Sequence, residues 1–82
     1  MKLTEQGKLH ERLVSTIKPH LHGVDPAIQS SVLAELLATY LIGFSRRHRV
    51  EVLMDHVTFV RQLVPTIEGI VYGGAGHPDD RN

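Results

Sequence analysis

The sequence predicts an all-α protein whose third helix pairs with a second copy of the chain. Apolar residues recur every three or four positions along three segments, which is the spacing of helices and not of strands. A chain of 82 residues also buries little apolar surface by itself, so helices this rich in aliphatic side chains are expected to need a partner. We therefore predict a three-helix up-down-up protomer, with a long kinked third helix, paired into a homodimeric helical bundle.

The first helix is predicted over residues 5–22, and its charged residues lie away from one apolar stripe. This pattern is typical of an amphipathic surface helix. Pro19 restricts the residue before it and clashes one turn back, so the helix either stops near Lys18 or kinks and ends at Gly23. The apolar stripe consists of Leu9, Leu13, Ile17 and Leu21.

The second helix is predicted over residues 26–43. Asp25 can accept the free N–H groups of the first turn, and Pro26 suits the first helical position because it has no N–H. Gly43 is predicted to end the helix in the left-handed conformation. Almost every position between is small or apolar, so this helix should be covered on more than one side.

The third helix is predicted over residues 46–72, with a kink at Pro65 because the apolar phase continues beyond that residue. Its apolar positions are separated alternately by three and four residues, which is a heptad seam. At 1.5 Å per residue the seam spans about 32 Å, longer than the second helix can cover, so part of it should face another chain. The seam consists of Val50, Leu53, Val57, Val60, Val64, Ile67 and Val71.

Residues 1–72 are predicted to form one helical domain, followed by a flexible tail over residues 73–82. The tail contains three glycines and a proline without apolar periodicity.

Composition excludes several classes of protein. Nine Lys and Arg balance nine Asp and Glu, so the chain lacks the field of a dedicated nucleic-acid or anionic-membrane binder. The absence of Cys excludes a disulfide framework and fits a reducing compartment. The charged start predicts no secretory signal, and the most apolar stretch, residues 32–44, is shorter than the roughly 20 residues of a membrane span. We expect a soluble, cytoplasmic protein without a membrane partner.

The segment between the second and third helices resembles the turn of a helix-turn-helix DNA-binding motif. Two apolar helices are connected here by Gly43, then the apolar residue Phe44, then Ser45 and a run of basic residues. The sequence departs from the motif at Thr39, where a small residue is usual, and at Arg49, where an inward apolar residue is usual. The resemblance implies nucleic-acid or phosphate contact by Arg46, Arg47 and Arg49. The alternative interpretation is that Ser45 caps the third helix while the three arginines are solvated.

Six histidines raise the question of a metal site. His10 and Glu11 begin like a zinc-protease helix, but Val14 stands where the second ligand belongs. His48 and His56 are about 12 Å apart on a helix, too far to share one ion. We expect the histidines to be surface residues, with no metal and no cofactor.

Catalysis is not expected either, because no Ser, His and acid set has a supporting spacing and no glycine loop precedes a helix to cradle phosphate. The sequence therefore predicts a small interaction module, an adaptor or accessory subunit, that binds itself and in addition another protein. The alternative is a small dimeric nucleic-acid-binding regulator that uses Arg61 and the arginines of residues 46–49, which we call the basic turn.

Overall fold

The computed structural model describes residues 4–80 as a succession of helices without a strand. The helices are α1 (Glu5–Leu21), α2 (Pro26–Leu41) and α3 (Arg46–Tyr72), followed by two short 3-10 turns (Gly73–Ala75 and Pro78–Asp80). The all-α class predicted from apolar spacing is confirmed.

Contacts divide the chain into two units, residues up to Ala38 and residues from Thr39 onward. The first unit holds α1 and most of α2, and the second holds the last residues of α2, α3 and the two short turns. The single domain over residues 1–72 stays a prediction, and its first three residues lie outside the described range.

The ends of α1 and the start of α2 follow from short polar contacts. The Thr4 hydroxyl accepts a hydrogen bond from the Gly7 N–H at 3.0 Å, which satisfies one of the free donors of the first turn of α1. The helix continues through Pro19 and ends before Gly23, whose φ is +75°. The Asp25 carboxylate accepts from the Ala27 N–H at 2.8 Å, and Pro26 is the first residue of α2, so both roles predicted at this end are confirmed.

The end of α2 differs from the expectation. Gly43 does not adopt a positive φ, so the prediction of a left-handed glycine there is wrong. The helix closes instead with a tight turn, in which the Gly43 N–H donates to the Tyr40 carbonyl at 3.2 Å and the Phe44 N–H donates to the Leu41 carbonyl at 3.0 Å. A Cβ at position 43 would lie 3.3 Å from the Tyr40 carbonyl oxygen, so glycine serves close approach here and not handedness.

Helix α3 is continuous from Arg46 to Tyr72 and includes Pro65; the kink at Pro65 stays a prediction. Beyond it, Gly73 and Gly76 have φ values of +67° and +75°, which favour glycine. They allow His77 to return toward α3, where its ring meets the Tyr72 ring edge to face at a centroid distance of 5.2 Å. Flexibility of residues 73–82 stays a prediction, and residues 81–82 lie outside the described range.

None of the described residues is buried. Twenty large hydrophobic side chains in this range are exposed, and they include the α1 stripe residues Leu9, Leu13 and Ile17. Most residues of the apolar stripes that the sequence predicts are thus exposed on the helices that carry them.

Candidate interaction surface

The apolar seam of α3 lies on a single continuous helix, and it is covered unevenly. Leu53 and Val57 are half-buried, whereas the other five seam residues are exposed. Val50 is the most exposed of them, with 71% of its surface accessible. Leaving such side chains in water costs roughly 25 cal/mol per Å² of apolar surface, so the seam has the character of an uncovered contact surface.

The C-terminal half of the seam forms one wall of an apolar groove of about 450 Å³, which we call the seam groove. His77 and Tyr72 form part of its lining, together with Glu68. Sequence reasoning missed the contribution of His77, because it depends on the glycine turns that bring the tail back to α3. The other residues lining the groove are Val60, Leu63, Val64, Ile67 and Val71.

A second apolar stripe runs along α3, about 100° around the helix axis from the seam at 100° per residue. This stripe was not predicted from the sequence, because its residues lie outside the heptad seam. Phe59 and Ile70 on this stripe are exposed, Ile70 at 75%. Apolar character over so wide an arc is typical of a helix covered from two sides. The stripe consists of Val52, Phe59, Leu63 and Ile70.

The N-terminal part of the second stripe borders a cavity of about 350 Å³ within the second unit. Tyr40 packs against Phe44 edge to face at 5.3 Å between ring centroids, and its ring lies 6.0 Å from that of His56. Asp55 and Phe59 also line the cavity. Asp55 and His56, which are adjacent in the sequence, thus both line this cavity.

The arginines of the basic turn differ in their contacts. The Arg49 Nε donates to the Phe44 carbonyl at 2.9 Å and to the Leu41 carbonyl at 3.2 Å, and its Nη2 donates to the Ile42 carbonyl at 3.4 Å. Arg49 thereby satisfies carbonyl groups at the end of α2, where a cation is also favoured by the helix dipole. The interpretation of Arg49 as a solvated residue is wrong.

The side chains of Arg46 and Arg47, in contrast, are exposed and form no hydrogen bond or ion pair with any residue in the described range. Ser45 stands at the N-cap of α3 as predicted, but its hydroxyl does not bond to the backbone of the first turn. It lies 2.8 Å from Nδ1 of His48 instead. The first turn of α3 therefore carries two guanidinium groups that have no ion-pair partner among the described residues.

The histidines are dispersed. His48 pairs with Ser45, His56 lies beside Tyr40, and His77 accepts a hydrogen bond at Nδ1 from the Asp79 N–H at 3.0 Å. Among residues 4–80, no three His, Asp or Glu side chains come together as a metal site. The expectation that the chain binds no metal stays a prediction.

We expect excess EDTA to leave the helical circular dichroism unchanged. A structural metal contributes its binding free energy to folding, so removing such an ion would melt the helices. A clear loss of the helical signal, restored by adding back zinc, would contradict this prediction.

Across the described residues, no helix combines the length and the apolar character needed to cross a bilayer. Comparisons of the chain with protein-family models, with curated proteins and with solved structures found no match.

Proposed function

We propose that this chain is a small cytoplasmic interaction module that pairs with a second copy of itself through α3. In this proposal the protomer is an up-down-up arrangement with a kink in α3 at Pro65, and two protomers form a homodimeric bundle. The paired bundle serves as an adaptor or accessory subunit, without catalysis of its own, and presents its remaining surface to another protein.

The observation that carries the proposal is the absence of any buried residue in the described range, although 41% of the sequence is hydrophobic. The chain exposes 7506 Å² of surface. Even two separate folded bodies of half its mass would together expose only about 5,900 Å². Each chain thus has on the order of 1,600 Å² of surface beyond what two folded bodies of half its mass would leave in water.

A second copy of the chain is the partner that best accounts for this excess of exposed surface. Two such surpluses amount to roughly 3,000 Å² of buried surface, within the range of obligate homodimer interfaces. Zero net charge removes long-range repulsion between copies. Closed two-fold dimers are also the commonest assembly of a single chain. Absence of Cys fits the reducing compartment that we propose for the protein.

The competing proposal, a nucleic-acid-binding regulator, is supported by Arg46 and Arg47, which lack partners within the described chain. The contacts of Arg49 weaken this alternative, because its guanidinium already donates hydrogen bonds to three carbonyl groups. A neutral chain also provides little non-specific affinity for phosphate. Binding to generic duplex DNA below micromolar at physiological salt, lost in an Arg46→Gln, Arg47→Gln variant, would favour this alternative.

Light scattering across a hundredfold dilution tests self-association directly. We expect a mass of twice the 9.2 kDa of one chain at the higher concentrations, and loss of helical circular dichroism as the mass falls on dilution. The two signals should change together because twenty large apolar side chains of the described residues are exposed in a single chain. A stable helical species of 9.2 kDa at every concentration would overturn the proposal.

A further inference from the structure

We propose that the second copy binds antiparallel along α3, in the register that places Arg47 beside Glu68 of the second copy. This inference rests on the proposed self-association and adds to it the orientation and the register of the partner. It is carried by the uneven exposure of the seam, by the seam groove and by the charges along one edge of the helix.

The seam consists of two interleaved sets of heptad positions. Antiparallel pairing of two such helices sets members of one set against members of the other. In the proposed register Val50 faces Ile67 of the second copy, Leu53 faces Val64, and Val57 faces Val60. The two-fold axis repeats each contact, so six apolar layers form between the helices.

The charged edge of the seam selects this register. Arg47, Met54, Arg61 and Glu68 follow one another at intervals of seven residues, immediately beside the seam. In the proposed register Arg47 meets Glu68 of the second copy, and Arg61 meets Met54. Shifting the second copy by one heptad in one direction places the Arg61 residues of the two copies beside each other. Shifting it in the other direction places Arg61 of one copy beside Arg47 of the other. Because like charges at these positions are unfavourable, both shifted registers are disfavoured.

Parallel pairing lacks these favourable contacts. In a parallel pair, the edge residues Met54, Arg61 and Glu68 lie beside positions 49, 56 and 63 of the second copy. None of these pairs joins an acid to a base. It also brings the uncompensated Arg46 and Arg47 of both copies to one end of the pair. Antiparallel pairing separates these basic ends and places Glu68 of the second copy beside each Arg47.

The two charges of the proposed pair are each placed unfavourably on their own helix. Arg47 lies in the first turn of α3 and Glu68 lies near its end, so both oppose the helix dipole. In the antiparallel pair each of these side chains lies beside the opposite charge. The seam groove receives the N-terminal half of the partner helix, where Val50, the most exposed seam residue, lies opposite Ile67.

Disulfide trapping tests orientation and register, and the natural chain has no Cys to interfere. We mix Val50→Cys protein with Ile67→Cys protein under mild oxidation. A disulfide requires Cα atoms within about 7 Å, so the mixed 50–67 product is expected to dominate. A mixture of Leu53→Cys and Val71→Cys, the pair that meets in one shifted register, is the matched control and should give little mixed product. Products joining 50 to 50 or 67 to 67 would show parallel pairing and overturn the inference.

Charge exchange tests the same register without a covalent bond. Arg47→Glu and Glu68→Arg should each raise the dissociation constant of the dimer about tenfold, since two attractive pairs become repulsive. The double variant restores both pairs and should return the constant close to that of the parent. Equal weakening in the single and double variants would overturn the inference. If the parent shows no dimer by scattering, the proposed function itself fails, whereas a dimer with same-position disulfides refutes only the antiparallel register.

Discussion

Replacing Val60 by aspartate is expected to abolish both dimer formation and folding. Val60 lies at the middle of the seam, and a carboxylate there would be buried in the paired helices without a partner. An uncompensated buried charge costs about 3–5 kcal/mol, and the two-fold axis places one in each copy. Few domains of this size have that much stability to lose. We expect the variant to lose its helical circular dichroism at micromolar concentration and to scatter as a single chain.

The effect of the Val60→Asp substitution distinguishes a dimer from an isolated chain, because 44% of the surface of Val60 is accessible within one chain. An Asp at this position would stay hydrated in a monomer, and the free energy of unfolding would then change little. Thr58→Asp is the matched control, since Thr58 is exposed on the same helix and has a helix propensity close to that of Val. A Val60→Asp variant as stable as the Thr58→Asp control would contradict pairing through the seam.

Replacing Arg49 by alanine is expected to lower the free energy of unfolding by about 1–3 kcal/mol. The substitution removes donors to the Leu41, Ile42 and Phe44 carbonyls, of which the contact with Leu41 is partly buried. It also removes a cation from the end of α2, where the helix dipole favours positive charge. Urea unfolding at one fixed protein concentration measures the change, because the stability of a dimer depends on concentration.

Arg46→Ala is the matched control for Arg49, because the Arg46 side chain is exposed and forms no hydrogen bond with the described residues. It should change stability by no more than about 0.5 kcal/mol. Arg49→Lys keeps the charge but lacks the planar set of donors, so it should fall between the two. Equal stabilities of the Arg46→Ala and Arg49→Ala variants would show that the Arg49 contacts do not support the turn.

The helices could be predicted from the sequence because their causes act over a few residues. Apolar spacing along the seam predicts a helix through Pro65, although Val and Ile favour strands, and α3 is continuous across that residue. Asp25 and Pro26 predict the start of α2 because an N-cap needs only an acceptor and the next turn. Each of these features depends on neighbours within about one helical turn.

The features of the candidate site that were missed depend on how the chain turns between elements. From the sequence alone, Arg49 is interpreted as a solvated basic residue, yet its guanidinium reaches back five to eight residues to the carbonyls before α3. His77 lies in a segment without periodicity, and it joins the seam groove only because two glycines reverse the chain. Neither contact has a periodic signature in the sequence.

By itself, the sequence determined the all-α class, the positions of the apolar stripes and the start of α2, because hydrophobic period and N-capping are local properties of the chain. Only the three-dimensional structure decided that the Arg49 guanidinium binds carbonyl groups at the end of α2 and that His77 borders the seam. It also decided that Gly43 lies close to the Tyr40 carbonyl without a positive φ. These outcomes depend on the path of the backbone between helices, which decides which carbonyl groups and which apolar side chains come within reach of a distant residue.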